Sequence, residues 1–230
     1  MTMRPFLFAP LLPLFGPALL SAQGVRVLDR GSFAITVGGL RVGREDFTIS
    51  GTPSANGMDY LSKATVVYGD KRLNPSLWSD SLGAPSRYTV EVKGSSGSNE
   101  RWMGRISRGR VSASIDNARG PSEREYVVSE GAVLLDDDVF HQYYFLALRA
   151  AQPTVQIVVP RRNAQVVLKS TRSADETLSI GASTIEAHHL VFTEPGGATR
   201  EVWVDAAGRV LKVALPSRNL VASRDDPPQR

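Results

Sequence analysis

The sequence predicts a mainly β protein: an antiparallel meander that forms a strongly curved sheet or half-barrel of about 11–12 strands, with one short helix packed on it. Apolar and polar residues alternate with a period of two along most of the chain after Gly24, as expected for strands with one buried face. Glycine-rich and proline-rich turns separate these runs at short intervals, which favours pairing between sequence neighbours. Only one stretch has helical periodicity instead.

The alternation is clearest in residues 88–93 (YTVEVK), and residues 32–37, 111–115 and 155–159 repeat it. Each of these runs predicts a strand with one face toward a core. By contrast, residues 70–86 hold two prolines and show no clear alternation. They predict a long loop that covers a sheet edge or the mouth of a cavity.

Glycines near the start of the chain predict a tight hairpin and a bulge. Gly38 and Gly39 separate two strand-like runs, which is the composition of a two-residue hairpin turn. Apolar residues then shift from even positions (Leu40) to odd positions (Phe47), and Gly43 lies between them. We therefore expect a β-bulge near Gly43.

Residues 137–149 predict the single helix. Phe140, Tyr144 and Leu148 recur on one helical face, and three aspartates at 136–138 suit a helix N-terminus. Pro153 prevents the helix from continuing. We expect this short helix to pack its aromatic face on the sheet.

The first 22 residues have the layout of a cleaved signal peptide. A basic residue is followed by an apolar segment and then by small residues, so cleavage is expected near Ala22. The remaining chain predicts one β domain over residues 24–224 and a disordered tail over residues 225–230. We expect a periplasmic or secreted protein that does not span a membrane, since no later apolar run reaches the required length.

Composition limits the partners and the chemistry. The chain has no cysteine, which excludes disulfides and a thiol-linked lipid anchor. The net charge is +4, and the basic residues are scattered among acidic ones. A nucleic-acid surface needs a concentrated basic stripe with stacking aromatics, so we expect no nucleic-acid partner.

A search for catalytic or metal-binding patterns predicts no enzyme, no metal and no cofactor. Glu186 and His188 share one face of a predicted strand, and His141 is the remaining candidate to join them, but nothing in their spacing requires this. No G-x-S-x-G motif is present. A serine–histidine–aspartate triad assembled from distant residues stays open, because such triads follow geometry rather than spacing.

Four segments carry a resemblance: residues 33–43 to an opening hairpin, residues 141–146 to a helix, residues 155–160 to the strand after it, and residues 202–213 to a penultimate hairpin. In this order they resemble a group of exported bacterial proteins of unknown function with LolA/LolB-like half-barrels. The resemblance implies an antiparallel half-barrel, and it implies by analogy a carrier that holds acyl chains on a concave apolar face.

Two functions follow from this architecture. If the helix and the predicted loop leave part of the concave face open, a pocket results, and we expect its lining to be Tyr88, Val90, Val92, Trp102 and Ile106. The protein is then a non-enzymatic binding module for a hydrophobic or acyl-bearing ligand, such as a lipid. If the same residues are only core, the alternative is an interaction or scaffold domain for cell-envelope proteins.

Overall fold

The computed structural model describes residues 24–95, 97 and 99–229, and the predicted leader lies outside them. Sixteen strands and one α-helix, α1 (Tyr143–Ala147), make up most of the described chain. The strands are β1 (Arg26–Val37), β2 (Leu40–Ser54), β3 (Gly57–Tyr68), β4 (Lys71–Ser79), β5 (Pro85–Gly94), β6 (Glu100–Ser107), β7 (Arg110–Asn117), β8 (Gly120–Val127), β9 (Val133–Leu134), β10 (Thr154–Val159), β11 (Ala164–Arg172), β12 (Glu176–Ile180), β13 (Ser183–Thr193), β14 (Thr199–Val204), β15 (Val210–Leu215) and β16 (Leu220–Arg224).

The strands form one large unclosed sheet. From one end its order is β8 to β1 in reverse sequence, then β16, β15, β14, β13, β11, β10 and β9, with β12 paired to β13 at the side. All described pairs are antiparallel except β9 with β10. The predicted fold class is confirmed. The described residues form sixteen strands instead of the expected 11–12, because short strands such as β9, with two residues, show no alternation that can be recognised in the sequence.

The segment 70–86 corrects the prediction of a long loop. Residues Lys71–Ser79 form β4, with buried side chains at every second position. The sequence did not predict this strand because it contains Pro75, and proline lacks an N–H group and is rare in a central strand. The described pairing between β3 and β4 skips Pro75 and Asn74, so the ladder is interrupted where the donor is missing. Only the turn at residues 80–84 remains of the predicted loop.

The helix is present but shorter than predicted, and the aspartates before it have a different role. It covers Tyr143–Ala147, and Gln142 is the residue at its N-cap. Asp136 is buried and accepts hydrogen bonds from Tyr88 Oη at 2.7 Å and from Arg161 Nε at 2.7 Å. The carboxylate thus joins β5 to the segment before the helix rather than capping it.

The glycine predictions near the N-terminus are confirmed. Val37 pairs with Leu40 across Gly38 and Gly39, which have φ values of 58° and 81°. Positive φ at both central positions defines a type I′ turn and favours glycine there. The β1–β2 register shifts between Ile35 and Thr36, opposite Gly43, as expected for the bulge.

The core lies between the buried face of the sheet and the segment from β9 through α1. Phe140, Phe145 and Leu146 of this segment are fully buried. Tyr60 of β3 meets Tyr144 and Phe145 edge-on, with ring centroids 6.0 and 5.8 Å apart. Such edge-to-face contacts add to the free energy of burial, so the helix is held on the sheet mainly by its aromatic side chains.

The first and last strands are joined by a buried ion pair. Arg224 of β16 donates to the Asp29 carboxylate of β1, and its Nε donates to the Val210 carbonyl at 2.6 Å. The guanidinium also lies over the rings of Phe33 and Phe47, at 5.7 and 5.1 Å from the centroids. The backbone pairing of β1 with β16 makes the two halves of the chain one continuous sheet, and the ion pair lies beside it.

The tail after β16, for which the sequence predicts disorder, makes specific contacts as far as Gln229. Asp225 accepts hydrogen bonds from Ser32 Oγ at 2.9 Å and from Arg44 Nη1 at 2.8 Å. Gln229 accepts from Arg30 Nη2 at 2.6 Å. Across the described ranges, no helix is long and apolar enough to cross a membrane.

Candidate functional site

A cavity of about 400 Å³ lies where the two ends of the sheet approach each other. One wall comes from β6, β7 and β8, and the opposite wall comes from β9 and β10. Most of its buried lining side chains are apolar. These include Trp102, Val111, Val128, Leu134 and Val158, and the half-buried Ile106 lies beside them.

The side chain of Trp102, the largest on the lining, faces the core because of the alternation of side chains along β6. Trp102, Gly104 and Ile106 share one face of the strand because strand side chains repeat every second residue. A Cβ atom at Gly104 would overlap the indole ring of Trp102, so only glycine leaves room for the ring to lie back along its own strand. Trp102 is buried, with 1% of its surface exposed.

Two connecting segments complete the cavity. The turn at residues 80–84 forms part of the rim, and the Asp80 carboxylate accepts hydrogen bonds from the backbone N–H groups of Leu82 and Ala84, both at 2.9 Å. The loop at residues 128–132 lines the other side as it passes from β8 to β9. The sequence predicts a loop over residues 70–86 that covers a sheet edge or a cavity mouth. Only the turn at residues 80–84, with the adjoining start of β5, lies at the cavity.

The structure divides the five predicted lining residues into two groups. Trp102 and Ile106 line the cavity. Tyr88, Val90 and Val92 of β5 are buried in the core and lie outside the cavity lining. Tyr88 nevertheless borders this region, since its ring packs at a tilt against the ring of Trp102 with centroids 5.6 Å apart.

Three lining residues carry a buried polar atom without a hydrogen-bond partner in the described part of the chain. These atoms are Trp102 Nε1, Tyr126 Oη and Arg149 Nε. Buried polar groups are nearly always paired in folded proteins. Of the seven such atoms in the described residues, three belong to the lining of this cavity, and together with its apolar walls they make it the candidate binding site.

Sequence reasoning missed Tyr126 and Arg149 as site residues. Tyr126 lies in β8, a strand that is mostly exposed and rich in charged residues, so its sequence shows no alternation of apolar and polar residues. Arg149 directly follows the aromatic helix segment, and a single arginine in such an apolar stretch was the only available signal. Burial raises the pKa of Tyr126, so its hydroxyl stays protonated at neutral pH and is available as a donor.

A second polar cluster in the core has the order of a catalytic triad. His141 Nδ1 lies 2.5 Å from Glu45 Oε1, and His141 Nε2 lies 3.0 Å from Ser62 Oγ. Glu45 also accepts the backbone N–H groups of Phe140 and His141, at 2.6 and 2.9 Å. Distant residues have thus assembled a serine–histidine–glutamate arrangement, in which a glutamate takes the place of the aspartate in the triad that the sequence left open.

This cluster has no access to a substrate. Ser62 and Glu45 have 0% exposed surface and His141 has 1%. A nucleophilic serine must reach a substrate carbonyl, and a hydroxyl closed to water cannot do so. In this conformation the cluster anchors the segment before α1 to strands β2 and β3.

The grouping of His141 with Glu186 and His188, which the sequence allowed but did not require, is not formed. His188 Nδ1 lies 3.1 Å from Asp175 Oδ2, whereas His141 is held in the core by Glu45. Within the ranges that the structure describes, no group of three histidine, aspartate or glutamate side chains is placed to hold a metal ion.

The fold and the cavity define a β-barrel-like domain with a mostly apolar, partly polar pocket at the seam between its sheet ends. No model of a known protein family matches the chain, and no curated protein matches it either. A similar solved structure is the crystal structure of a β-barrel-like protein of domain of unknown function DUF1849 from Brucella abortus. It has a TM-score of 0.53 and 9% sequence identity, over 86% of this chain and 95% of that chain. At this identity the similarity shows a shared β-barrel-like fold.

Proposed function

We propose that this domain is a non-enzymatic binding module for a hydrophobic or acyl-bearing ligand, which it holds in the cavity between the two ends of its sheet. The observation that carries the proposal is the volume of that cavity, about 400 Å³. Small-molecule sites typically have volumes of several hundred cubic ångströms and mostly apolar walls. A scaffold domain with a filled core has no need of such a space.

The walls support an apolar ligand in particular. Val111 and Leu134 are each 1% exposed, and Ile106 and Val158 join them on the lining. Transfer of an apolar chain from water into such a space is favourable by about 0.8 kcal/mol for each buried CH₂ group. A ligand with an alkyl chain therefore obtains its affinity from these walls.

The compartment is part of the proposal. The leader over residues 1–22 and the resemblance to LolA/LolB-like half-barrels favour action in the periplasm or outside the cell. In either place a lipid or another apolar molecule needs a carrier, because its free concentration in water is low.

The test compares filling of the cavity with the same substitution elsewhere. Val111→Trp fills the space, whereas Val167→Trp places the same side chain at a position of β11 that is 46% exposed. We expect wild type and Val167→Trp to bind a fluorescent fatty-acid probe, and Val111→Trp to bind it at least about tenfold more weakly.

The milder substitution Ile106→Phe serves if Val111→Trp does not fold, as judged by circular dichroism. Native mass spectrometry of protein purified from a bacterial periplasm gives a second measurement, in which a co-purifying lipid is expected. Wild-type protein that is free of lipid and ignores the probe would refute the proposal. Equal probe binding by the wild type and a folded cavity-filling variant would also refute it.

A further inference from the structure

We infer that the cavity recognises one class of apolar ligand, the long-chain carboxylates, and that Arg149 binds the carboxylate head group with help from Trp102 and Tyr126. This inference rests on the proposed function and adds the chemistry of the head group to it.

The first argument is the type of the three unpaired atoms. Trp102 Nε1 and Arg149 Nε are donors only, and the Tyr126 hydroxyl is both donor and acceptor. A buried donor without a partner costs folding free energy, so a ligand with acceptor oxygens that draws these donors toward the cavity relieves that cost. A hydrocarbon or a ligand whose head group only donates cannot satisfy them.

The second argument is charge. Arg149 is 8% exposed, and no described carboxylate lies within 4.0 Å of its guanidinium nitrogens. The other charged lining residues are the carboxylates of Asp80 and Glu130 and the guanidinium of Arg108, and all three are exposed to solvent. Arg149 is therefore the buried charge of the cavity, and a buried charge is stabilised by an opposite one.

The third argument is stoichiometry and shape. One guanidinium balances one negative charge, and its planar arrangement of N–H groups matches the two oxygens of a carboxylate. Gly131 passes beside this guanidinium without adding a side chain, and a Cβ atom there would lie 3.8 Å from Arg149 Nη2. A singly charged carboxylate with an alkyl chain fits both the donors and the apolar walls.

The experiment measures binding of three probes with the same chain length but different head groups: dodecanoate, dodecanol and dodecylammonium. Isothermal titration calorimetry is carried out below the aggregation threshold of each probe, with the full chain as purified. We expect wild type to bind dodecanoate about 10- to 100-fold more tightly than dodecanol, because charge-assisted hydrogen bonds are the strong ones. Dodecylammonium is expected to bind most weakly.

Arg149→Met removes the charge and keeps the length of the side chain. We expect it to bind dodecanol as wild type does and to lose the preference for dodecanoate. Arg149→Lys keeps a charge without the Nε–H group and is expected to retain part of the preference. Tyr126→Phe, which removes one hydroxyl, is expected to reduce it by less than Arg149→Met does. Arg119→Met, at an exposed turn position, is the matched control and is expected to keep the full preference.

The outcomes separate this inference from the proposed function. Equal binding of dodecanoate and dodecanol by wild type, or a preference that survives in Arg149→Met, overturns the carboxylate inference and leaves the apolar site in place. Tighter binding of dodecylammonium has the same consequence. If none of the three probes binds to wild type, both the inference and the proposed function are wrong.

Discussion

Gln165 of β11 and Val127 of β8 are hydrogen-bonded across the gap between the end strand β8 and the last three strands at the other end of the sheet. Gln165 Nε2 of β11 donates to the Val127 carbonyl of β8 at 2.7 Å, and Gln165 Oε1 accepts the Ser129 backbone N–H at 3.1 Å. The sheet does not close here, and the Gln165 amide makes the hydrogen bonds to the backbone that a neighbouring strand would otherwise make. The cavity lies beside this bridge, since Val128 and Ser129 are part of its lining.

Gln165→Ala is expected to loosen this seam. The variant removes both hydrogen bonds, and we expect it to lower the free energy of unfolding by about 1–3 kcal/mol. Hydrogen exchange at the Ser129 amide should accelerate more than exchange in β1 or β16, because the opening is local. Gln156→Ala, at an exposed position of β10, is the control and should leave that amide unchanged.

Gly104→Ala is expected to displace Trp102. The added methyl group overlaps the indole ring, and overpacking of this kind costs about 1–3 kcal/mol of stability. The emission of Trp102 should shift to longer wavelength as its ring becomes more exposed, which difference spectra against Trp102→Phe would show. Met103→Ala changes the neighbouring side chain on the opposite face, at 44% exposure, and should leave the emission as in wild type. An unchanged spectrum in Gly104→Ala would contradict the placement of the ring.

The cluster of Glu45, His141 and Ser62 predicts unequal effects of two substitutions. Glu45→Ala removes the acceptor of three hydrogen bonds and leaves their donors buried, so we expect a loss of about 3–5 kcal/mol. Ser62→Ala removes one partner of His141 Nε2, and a loss of about 1 kcal/mol is expected. Urea unfolding measures both values. Equal losses would argue against Glu45 as the residue that holds this segment on the sheet.

Asp136 predicts a specific dependence of stability on pH. Burial raises the pKa of its carboxyl, and the neighbouring Arg161 opposes this only in part. The folded protein therefore keeps this proton to a higher pH than the unfolded chain. The resulting stabilisation is fully present below the unfolded pKa of about 3.9 and is lost as the pH rises through the folded pKa.

Asp136→Asn removes this titration and keeps the shape of the side chain. We therefore expect the variant's loss of stability relative to wild type to be larger at about pH 4 than at about pH 7. Urea unfolding at the two pH values, with both proteins in the same buffers, measures the difference. A loss that is instead larger near neutral pH would mean that the ion pair with Arg161 outweighs burial.

The sequence by itself determined the class of fold and several of its local features. Period-two alternation and turn residues are local signals, so they predicted the antiparallel meander, the Gly38-Gly39 hairpin and the bulge near Gly43. The aromatic segment after residue 136 predicted a helix on the sheet, although at five residues it is shorter than expected. The prediction of a loop around Pro75 was wrong, because pairing with the neighbouring strands, not the preference of proline itself, decided the conformation of this segment.

Only the tertiary structure decided where the cavity lies and which side chains line it. Trp102 and Tyr88 have the same alternating pattern in the sequence, yet one lines the cavity and the other is core. Arg149 and Tyr126 both line the cavity because the loop at residues 128–132 carries the chain directly from β8, at one end of the sheet, to β9, at the other end. The physical reason is that alternation specifies which face of a strand is buried, whereas what covers that face depends on long-range packing.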